Sequence, residues 1–229
     1  MSNVASSRGW FCTQCGSLKD NQLSLYRPGI LNAHSRRLDP HCVTCSTSAV
    51  FRRGPWQGER RSAGSKGKVL IINGTCSTGK STISYLLSEH YGFVQIDGDW
   101  IWQKAREQHP KIHSDELHED LALLAESLVD LGKPVALAHI IPPEFLPVYQ
   151  HILDSGGVGY RIVVLMPQMS TLLCRNESRK CWPKTTPEYW VRKFYEEFAT
   201  ATQDIQDCFY DNSDETEMET AMNLSRLIT

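Results

Sequence analysis

The sequence lacks any apolar run long enough to cross a membrane. Its most apolar segment, residues 134–149, is broken by a histidine, a glutamate and three internal prolines, whereas a membrane helix needs about 20 consecutive apolar residues. The first residues also lack the apolar core of a secretory signal peptide. We therefore expect a cytoplasmic protein with no membrane partner. An organelle transit peptide is the alternative, because the start of the chain is basic and poor in acids.

Acidic residues are scarce in residues 1–68, which hold eleven Lys and Arg against three Asp and Glu, a net charge of +8. Residues 69–229 hold thirteen Lys and Arg against twenty-three Asp and Glu, a net charge of −10. This asymmetry predicts two units with different partners. We expect a basic, cysteine-containing extension over residues 1–45, a flexible basic linker over residues 46–67, and a globular domain over residues 68–229.

Two CxxC pairs lie in the basic extension: Cys12 with Cys15, and Cys42 with Cys45. Without a signal peptide a disulfide framework is not expected, and two thiolates separated by two residues can both reach one tetrahedral Zn²⁺ ion. The 26 residues between the pairs exceed the usual spacing of a zinc ribbon. Zinc binding by these four cysteines therefore stands as one hypothesis, beside that of a basic leader with no metal.

The most specific pattern follows the short apolar run at residues 69–72, which is typical of a buried parallel strand. Residues 74–81, Gly-Thr-Cys-Ser-Thr-Gly-Lys-Ser, match the phosphate-binding motif G-x-x-x-x-G-K-[ST] at every position, and apolar residues at helical spacing follow. A strand before the motif and a helix after it favour nucleotide binding over an ordinary glycine-rich turn.

Each residue type in this motif has a chemical reason. Gly74 and Gly79 allow the backbone to direct its N–H groups at phosphate oxygens, and the start of the next helix adds its positive dipole end. We expect Lys80 to bind the β- and γ-phosphates of ATP, and the Ser81 hydroxyl to ligate Mg²⁺. The predicted nucleotide-binding residues are Gly74, Thr75, Cys76, Ser77, Thr78, Gly79, Lys80, Ser81 and Thr82.

Two acids follow a second predicted strand, Phe-Val-Gln-Ile at residues 93–96. Ligands of open α/β sheets bind at the carboxyl ends of the strands, so Asp97 and Asp99 are expected to face the γ-phosphate. One acid can help to hold Mg²⁺ while the other accepts a hydrogen bond or a proton from an acceptor hydroxyl. An Asp-Gly turn with surface carboxylates is the alternative.

Residues 73–84 and the DGDWIW segment at 97–102 together resemble the P-loop small-molecule kinases, including adenylylsulfate, gluconate and shikimate kinases and chloramphenicol phosphotransferase-like enzymes. The resemblance extends over about residues 68–227. It implies a five-stranded parallel sheet with helices on both faces and a lid over ATP. By the same resemblance, Asp97 is the acid on the metal side and Asp99 the acid on the acceptor side.

The resemblance also assigns an R-x-x-x-R element of the lid to Arg175 and Arg179, where arginine stabilises charge on the transferred phosphoryl group. A solvated basic helix face is the alternative for this pair. The segment Asp-Asn-Ser at 211–213 resembles the turn beside the adenine ring. The aromatic residues of a helix after Pro187 are expected to pack in the core or the lid.

Two absences narrow the function further. His139 ends the third predicted strand, where motor and switch NTPases usually have an aspartate, and the guanine signature N-K-x-D is missing. Both favour a compact kinase over a GTPase or a motor ATPase. The resemblance then implies an ATP- and Mg²⁺-dependent kinase that acts on a small hydroxylated acceptor. His139 is interpreted as either an acceptor contact or a satisfied, partly buried histidine. The alternative functions are a kinase directed to nucleic acid by residues 1–68, and a nucleotide-binding protein without transferase activity.

Overall fold

The computed structural model describes residues 8–12, 51–55, 67–108, 110–111, 113–129, 132–178 and 186–228. In the basic part of the chain, strand β1 (Arg8–Cys12) pairs antiparallel with strand β2 (Phe51–Pro55). Three of the four cysteines of the predicted zinc site lie outside the described residues, and the side chain of Cys12 is not described. The zinc site and the division of the chain at residues 45 and 67 therefore stay predictions.

The main sheet contains five strands that are all parallel, as the sequence predicts. They are β3 (Val69–Gly74), β4 (Val94–Asp97), β5 (Val135–Ala138), β6 (Tyr160–Leu165) and β7 (Phe209–Tyr210). Their order across the sheet is β4-β5-β3-β6-β7, so β3 is the central strand. Because parallel strands share one carboxyl edge, the loops after β3, β4 and β5 are neighbours.

Helices follow the strands and cover both faces of the sheet. They are α1 (Lys80–Tyr91), α2 (Gly98–Gln108), α3 (Ser114–Leu128), α4 (Leu146–Ser155), α5 (Met169–Glu177), α6 (Glu188–Ala199), α7 (Gln203–Gln206) and α8 (Glu217–Ser225). A short 3₁₀ turn, Pro143–Phe145, precedes α4. None of the helices in the described ranges has the length and apolarity that crossing a membrane requires.

Side chains of the central strand alternate between two hydrophobic cores. Leu70 and Ile72 pack with residues of α1 and α8 on one face of the sheet, whereas Val69 and Ile71 pack with residues of α3 and α4 on the other. All four side chains are fully buried. This period of two explains why the run of four apolar residues reads as a strand covered on both faces.

Candidate active site

The segment after β3 forms a tight loop whose backbone depends on left-handed conformations. Gly74 has φ 129°, Ser77 has φ 65° and Gly79 has φ 96°, and Gly79 is the residue before the first turn of α1. A Cβ at Gly74 would lie 2.5 Å from the carbonyl oxygen of Leu165 on β6. Glycine is therefore required here for space as well as for conformation, because β6 runs directly beside the loop.

The Lys80 ammonium lies inside the curve of this loop. Its Nζ donates to the carbonyl oxygens of Gly74 at 2.9 Å and Thr75 at 2.7 Å, and the residue is 7% exposed. The Thr78 hydroxyl also donates to the Thr75 oxygen, at 3.1 Å. A buried ammonium enclosed by a curled backbone at a helix N-terminus is the arrangement that binds phosphate groups. This arrangement is compatible with the predicted phosphate loop, and nucleotide binding by its residues stays a prediction.

Asn73 fixes the first residue of the loop to the segment that follows β5. Its Oδ1 accepts from the backbone N–H of Gly74 at 2.7 Å and of Ile141 at 2.8 Å, and its Nδ2 donates to the Ile141 carbonyl at 2.8 Å. The side chain is fully buried. Sequence reasoning missed this role, and the only local signal was an amide immediately before the first glycine of the motif.

The turn at residues 211–213 also contacts the loop. Asn212 is 2% exposed and donates from Nδ2 to the Thr78 carbonyl at 3.2 Å, and its own carbonyl accepts from Arg175 Nη2 at 2.8 Å. Arg175 lies near the end of α5, which ends at Glu177. Arg179 lies outside the described residues, so its pairing with Arg175 over the phosphates stays a prediction.

A second amide joins the loop to the start of α6. Asn176 is 4% exposed, and its Oδ1 accepts from the Ser77 hydroxyl at 3.0 Å and from the Thr186 N–H at 3.1 Å. Its Nδ2 donates to the Thr186 carbonyl at 2.7 Å, while the Thr75 hydroxyl donates to the Val191 carbonyl at 3.1 Å. Side-chain contacts on both sides thus fix the loop. No periodic pattern or motif in the sequence points to Asn176.

The metal-side prediction rests on Ser81 and Asp97. Gln95 on β4 donates to the Ser84 hydroxyl at 2.8 Å and to the Ser81 carbonyl at 3.4 Å, so its side chain points at the first turns of α1. Asp97 is two residues further along the same strand and therefore faces the same side. One of its oxygens accepts from the Trp100 N–H at 3.1 Å, which caps α2. A hydroxyl and a half-buried carboxylate are oxygen ligands of the type that Mg²⁺ prefers, so these residues fit the ion.

Asp99, the predicted acid on the acceptor side, lies in the first turn of α2 with 52% of its side chain exposed. Its Oδ1 lies 3.0 Å from Nδ1 of His139, the residue that follows β5. His139 is 5% exposed, so the interpretation as a partly buried histidine with a partner fits the structure. The two acids have different environments: Asp97 completes a helix cap, whereas Asp99 is exposed and paired with an imidazole.

Aromatic rings pack around His139. Trp102 lies 5.3 Å from both the His139 and the His118 ring, and the His118 ring stacks on Phe145 at 4.3 Å. The His118 Nδ1 is 2.9 Å from the Tyr149 hydroxyl. Burial is the main reason why the pKa of His118 falls from its ordinary value of 6.5 to about 3, with His139 acting in the same direction. Sequence reasoning missed this cluster.

The parallel sheet and the loop that encloses Lys80 together define a P-loop fold. Among solved structures, the chain is similar to the tunicamycin resistance protein of Deinococcus radiodurans, with a TM-score of 0.54, 16% identity, and 71% of this chain and 96% of that chain covered. It is also similar to a gluconokinase from Sinorhizobium meliloti, with a TM-score of 0.51, 18% identity, and 71% and 94% covered. For a sugar kinase from Janibacter the TM-score is 0.50 at 12% identity, with 71% and 96% covered.

At these identities the likeness concerns the fold. The chain has the fold of P-loop small-molecule kinases, and the predicted resemblance is confirmed at that level. No protein-family model matches the sequence, and no curated protein matches it either.

Proposed function

We propose that the protein is an ATP- and Mg²⁺-dependent phosphotransferase that acts on a hydroxyl group of a small acceptor. The observation that carries this proposal is the buried Lys80 inside the curled loop, with an exposed Asp99 in the first turn of the helix that follows β4. The fold similarity supports it, because the gluconokinase and the sugar kinase are named for small hydroxylated acceptors.

The residues of the site divide the work by position. Lys80 and the N–H groups between Gly74 and Ser81 bind and orient the β- and γ-phosphates, in a loop whose walls are fixed by Asn73 and Asn176. Mg²⁺ held by Ser81 and Asp97 would neutralise charge on the same phosphates. Because little covalent chemistry falls to the protein, this positioning supplies most of the catalysis.

Asp99 takes the acceptor side of the reaction. As the acceptor oxygen bonds to the γ-phosphorus, the bond from that phosphorus to the β,γ-bridging oxygen breaks and ADP leaves. The proton of the acceptor hydroxyl passes to the Asp99 carboxylate, which is exposed to solvent, whereas its partner His139 is buried. Arg175 and Arg179 are proposed to stabilise charge on the transferred group once ATP is bound.

The test is mass spectrometry of a pool of hydroxylated metabolites incubated with the protein, ATP and Mg²⁺. We expect one class of acceptor to become heavier by one phosphoryl group, and we expect Lys80→Met and Asp99→Asn each to abolish that product. Lys111→Met, at an exposed lysine, is the matched control and is expected to retain the activity. If the wild-type protein binds ATP, Lys80→Met loses that affinity and no acceptor is modified, the chain is a nucleotide-binding protein without transferase activity.

A nucleic-acid acceptor is the second candidate, favoured by the net charge of +8 over residues 1–68. Lys and Arg that neutralise phosphates make binding fall steeply with salt concentration. Oligonucleotides with free hydroxyl ends therefore belong in the same assay. Transfer to these ends that is lost at high salt and on deletion of residues 1–67 would replace the small-molecule proposal.

A further inference from the structure

The imidazole of His139 is confined from several sides. Its backbone N–H donates to the Ile72 carbonyl on β3 at 3.2 Å, and the residue is 5% exposed. The Trp102 ring lies 5.3 Å from the imidazole ring, and the His118 ring lies 5.5 Å from it. Among the described residues, Nδ1 bonds to Asp99, whereas the buried Nε2 has no hydrogen-bond partner. Burying a polar atom without a hydrogen-bond partner is unfavourable, so the position of the ring needs an explanation.

Gly98 provides the space for this ring. A Cβ at Gly98 would lie 2.5 Å from Cγ, 2.6 Å from Cβ and 2.7 Å from Nδ1 of His139. The imidazole thus packs directly on the backbone between the two acids. A residue with a Cβ would clash with the imidazole here, which explains why a glycine separates Asp97 from Asp99. The same contact joins this segment to the residue that follows β5.

The bond to Asp99 has a defined direction. A carboxylate oxygen only accepts hydrogen bonds, so Nδ1 of His139 carries the proton and donates it to Asp99 Oδ1. The donor is buried, whereas 52% of the Asp99 side chain is exposed. A rigid buried donor therefore holds one oxygen of a carboxylate that solvent, and an acceptor, can approach.

We propose that His139 is a positioning residue for phosphoryl transfer, which fixes the orientation of the Asp99 carboxylate toward the acceptor hydroxyl. The proposal rests on the proposed kinase function. A catalytic group that is already oriented loses less freedom when the reactants meet, and a misplacement of about 1 Å can lower a rate by about 100-fold. His139 thus stands where motor and switch NTPases usually have an aspartate, at the end of the third strand. Here it serves the acceptor side of the site.

Turnover of His139 variants tests this role. His139→Ala is expected to lower kcat by about 10- to 100-fold with little change in the KM for ATP, because no contact among the described residues joins the imidazole to the phosphate loop. His139→Asn, whose amide nitrogen can replace Nδ1 as the donor, is expected to recover most of the loss. An unchanged kcat in His139→Ala, or no rescue by asparagine, would overturn the proposal.

Nitrogen NMR of the histidine rings separates this proposal from the kinase function. The resonance that disappears in His139→Asn identifies the ring, and we expect a protonated Nδ1 whose shift changes in Asp99→Ala. If the wild-type protein transfers no phosphoryl group, the kinase function is refuted whatever the spectrum shows. If transfer occurs and Nδ1 is unprotonated or insensitive to Asp99→Ala, the role of His139 is refuted and the kinase function stands.

Discussion

Asn73 allows the sharpest prediction about how the phosphate loop is held. Its side chain satisfies three buried backbone groups, the N–H of Gly74 and both the N–H and the carbonyl of Ile141. Asn73→Ala leaves all three without a partner, and each such group is unfavourable by about 1–3 kcal/mol. Allowing for water that enters the space, we expect the free energy of unfolding to fall by about 3–6 kcal/mol.

Asn73→Asp tests the same reasoning with almost no change in shape. The carboxylate still accepts from both N–H groups, but an oxygen then faces the Ile141 carbonyl at the 2.8 Å separation where Nδ2 now donates. Only the protonated acid can restore that donor, so folding should raise the pKa of the new carboxyl group. The stability of the variant relative to wild type should therefore be highest below pH 4 and fall as the pH rises through the raised pKa.

Urea unfolding followed by circular dichroism measures both variants. Asn223→Ala, at a partly buried amide on α8 that bonds to Tyr210 and Glu215, is the matched control and should lose only about 1 kcal/mol. An Asn73→Ala variant within about 1 kcal/mol of wild type would refute the reasoning, because three unpaired buried groups require a larger loss.

Two further predictions concern a buried histidine and a glycine. The pKa of His118 is about 3 in the folded chain, so between about pH 6.5 and pH 3 only the unfolded chain binds the proton, and the free energy of unfolding should fall by about 2 kcal/mol between pH 7 and pH 5. His118→Gln should remove this pH dependence of the free energy of unfolding. His151→Gln, at an exposed histidine, is the control and should retain it. Equal pH slopes for wild type and both variants would contradict the prediction. Gly74→Ala should be more destabilising than Gly92→Ala. Both glycines have a positive φ, but only a Cβ at Gly74 would meet a backbone oxygen, at 2.5 Å. Thermal unfolding with and without ATP compares the two variants. Equal losses of thermal stability in the two alanine variants would contradict this prediction, because β6 would then move enough to accept the added Cβ.

The sequence carries enough information for the sheet and the phosphate loop. Both depend on local patterns: a four-residue apolar run with a side-chain period of two, and glycines at positions where φ is positive. The carboxyl-edge rule then places Asp97 and Asp99 near the loop without any knowledge of the side chains. These features are predictable because each follows from a few consecutive residues.

The supporting hydrogen bonds are not predictable in this way. Asn176 bonds to Ser77 across 99 positions, and Asn212 bonds to Thr78 across 134. Asparagine has no periodicity that would reveal such distant partners, so only the folded chain shows them. The same holds for the contact of Gly98 with His139, which joins two strand ends 41 positions apart in the chain.

The aromatic residues of α6 are covered along only part of the helix. The sequence predicts that they pack in the core or the lid, and Phe198 is buried at 1% exposed. Tyr189 and Trp190 are 66% and 43% exposed at the other end of the helix. A helical pattern gives the spacing of apolar residues but does not tell how far along its length the helix is covered.

Phosphorus NMR of a single reaction mixture tests the central claim most directly. The mixture contains the full-length protein, ATP, Mg²⁺ and the acceptor identified by mass spectrometry, and the spectrum separates a phosphate ester from inorganic phosphate. We expect ADP and the phosphate ester to appear in equal amounts, with neither formed by Asp99→Asn. ADP accompanied only by inorganic phosphate, at the same rate with and without the acceptor, would contradict the assignment as a kinase.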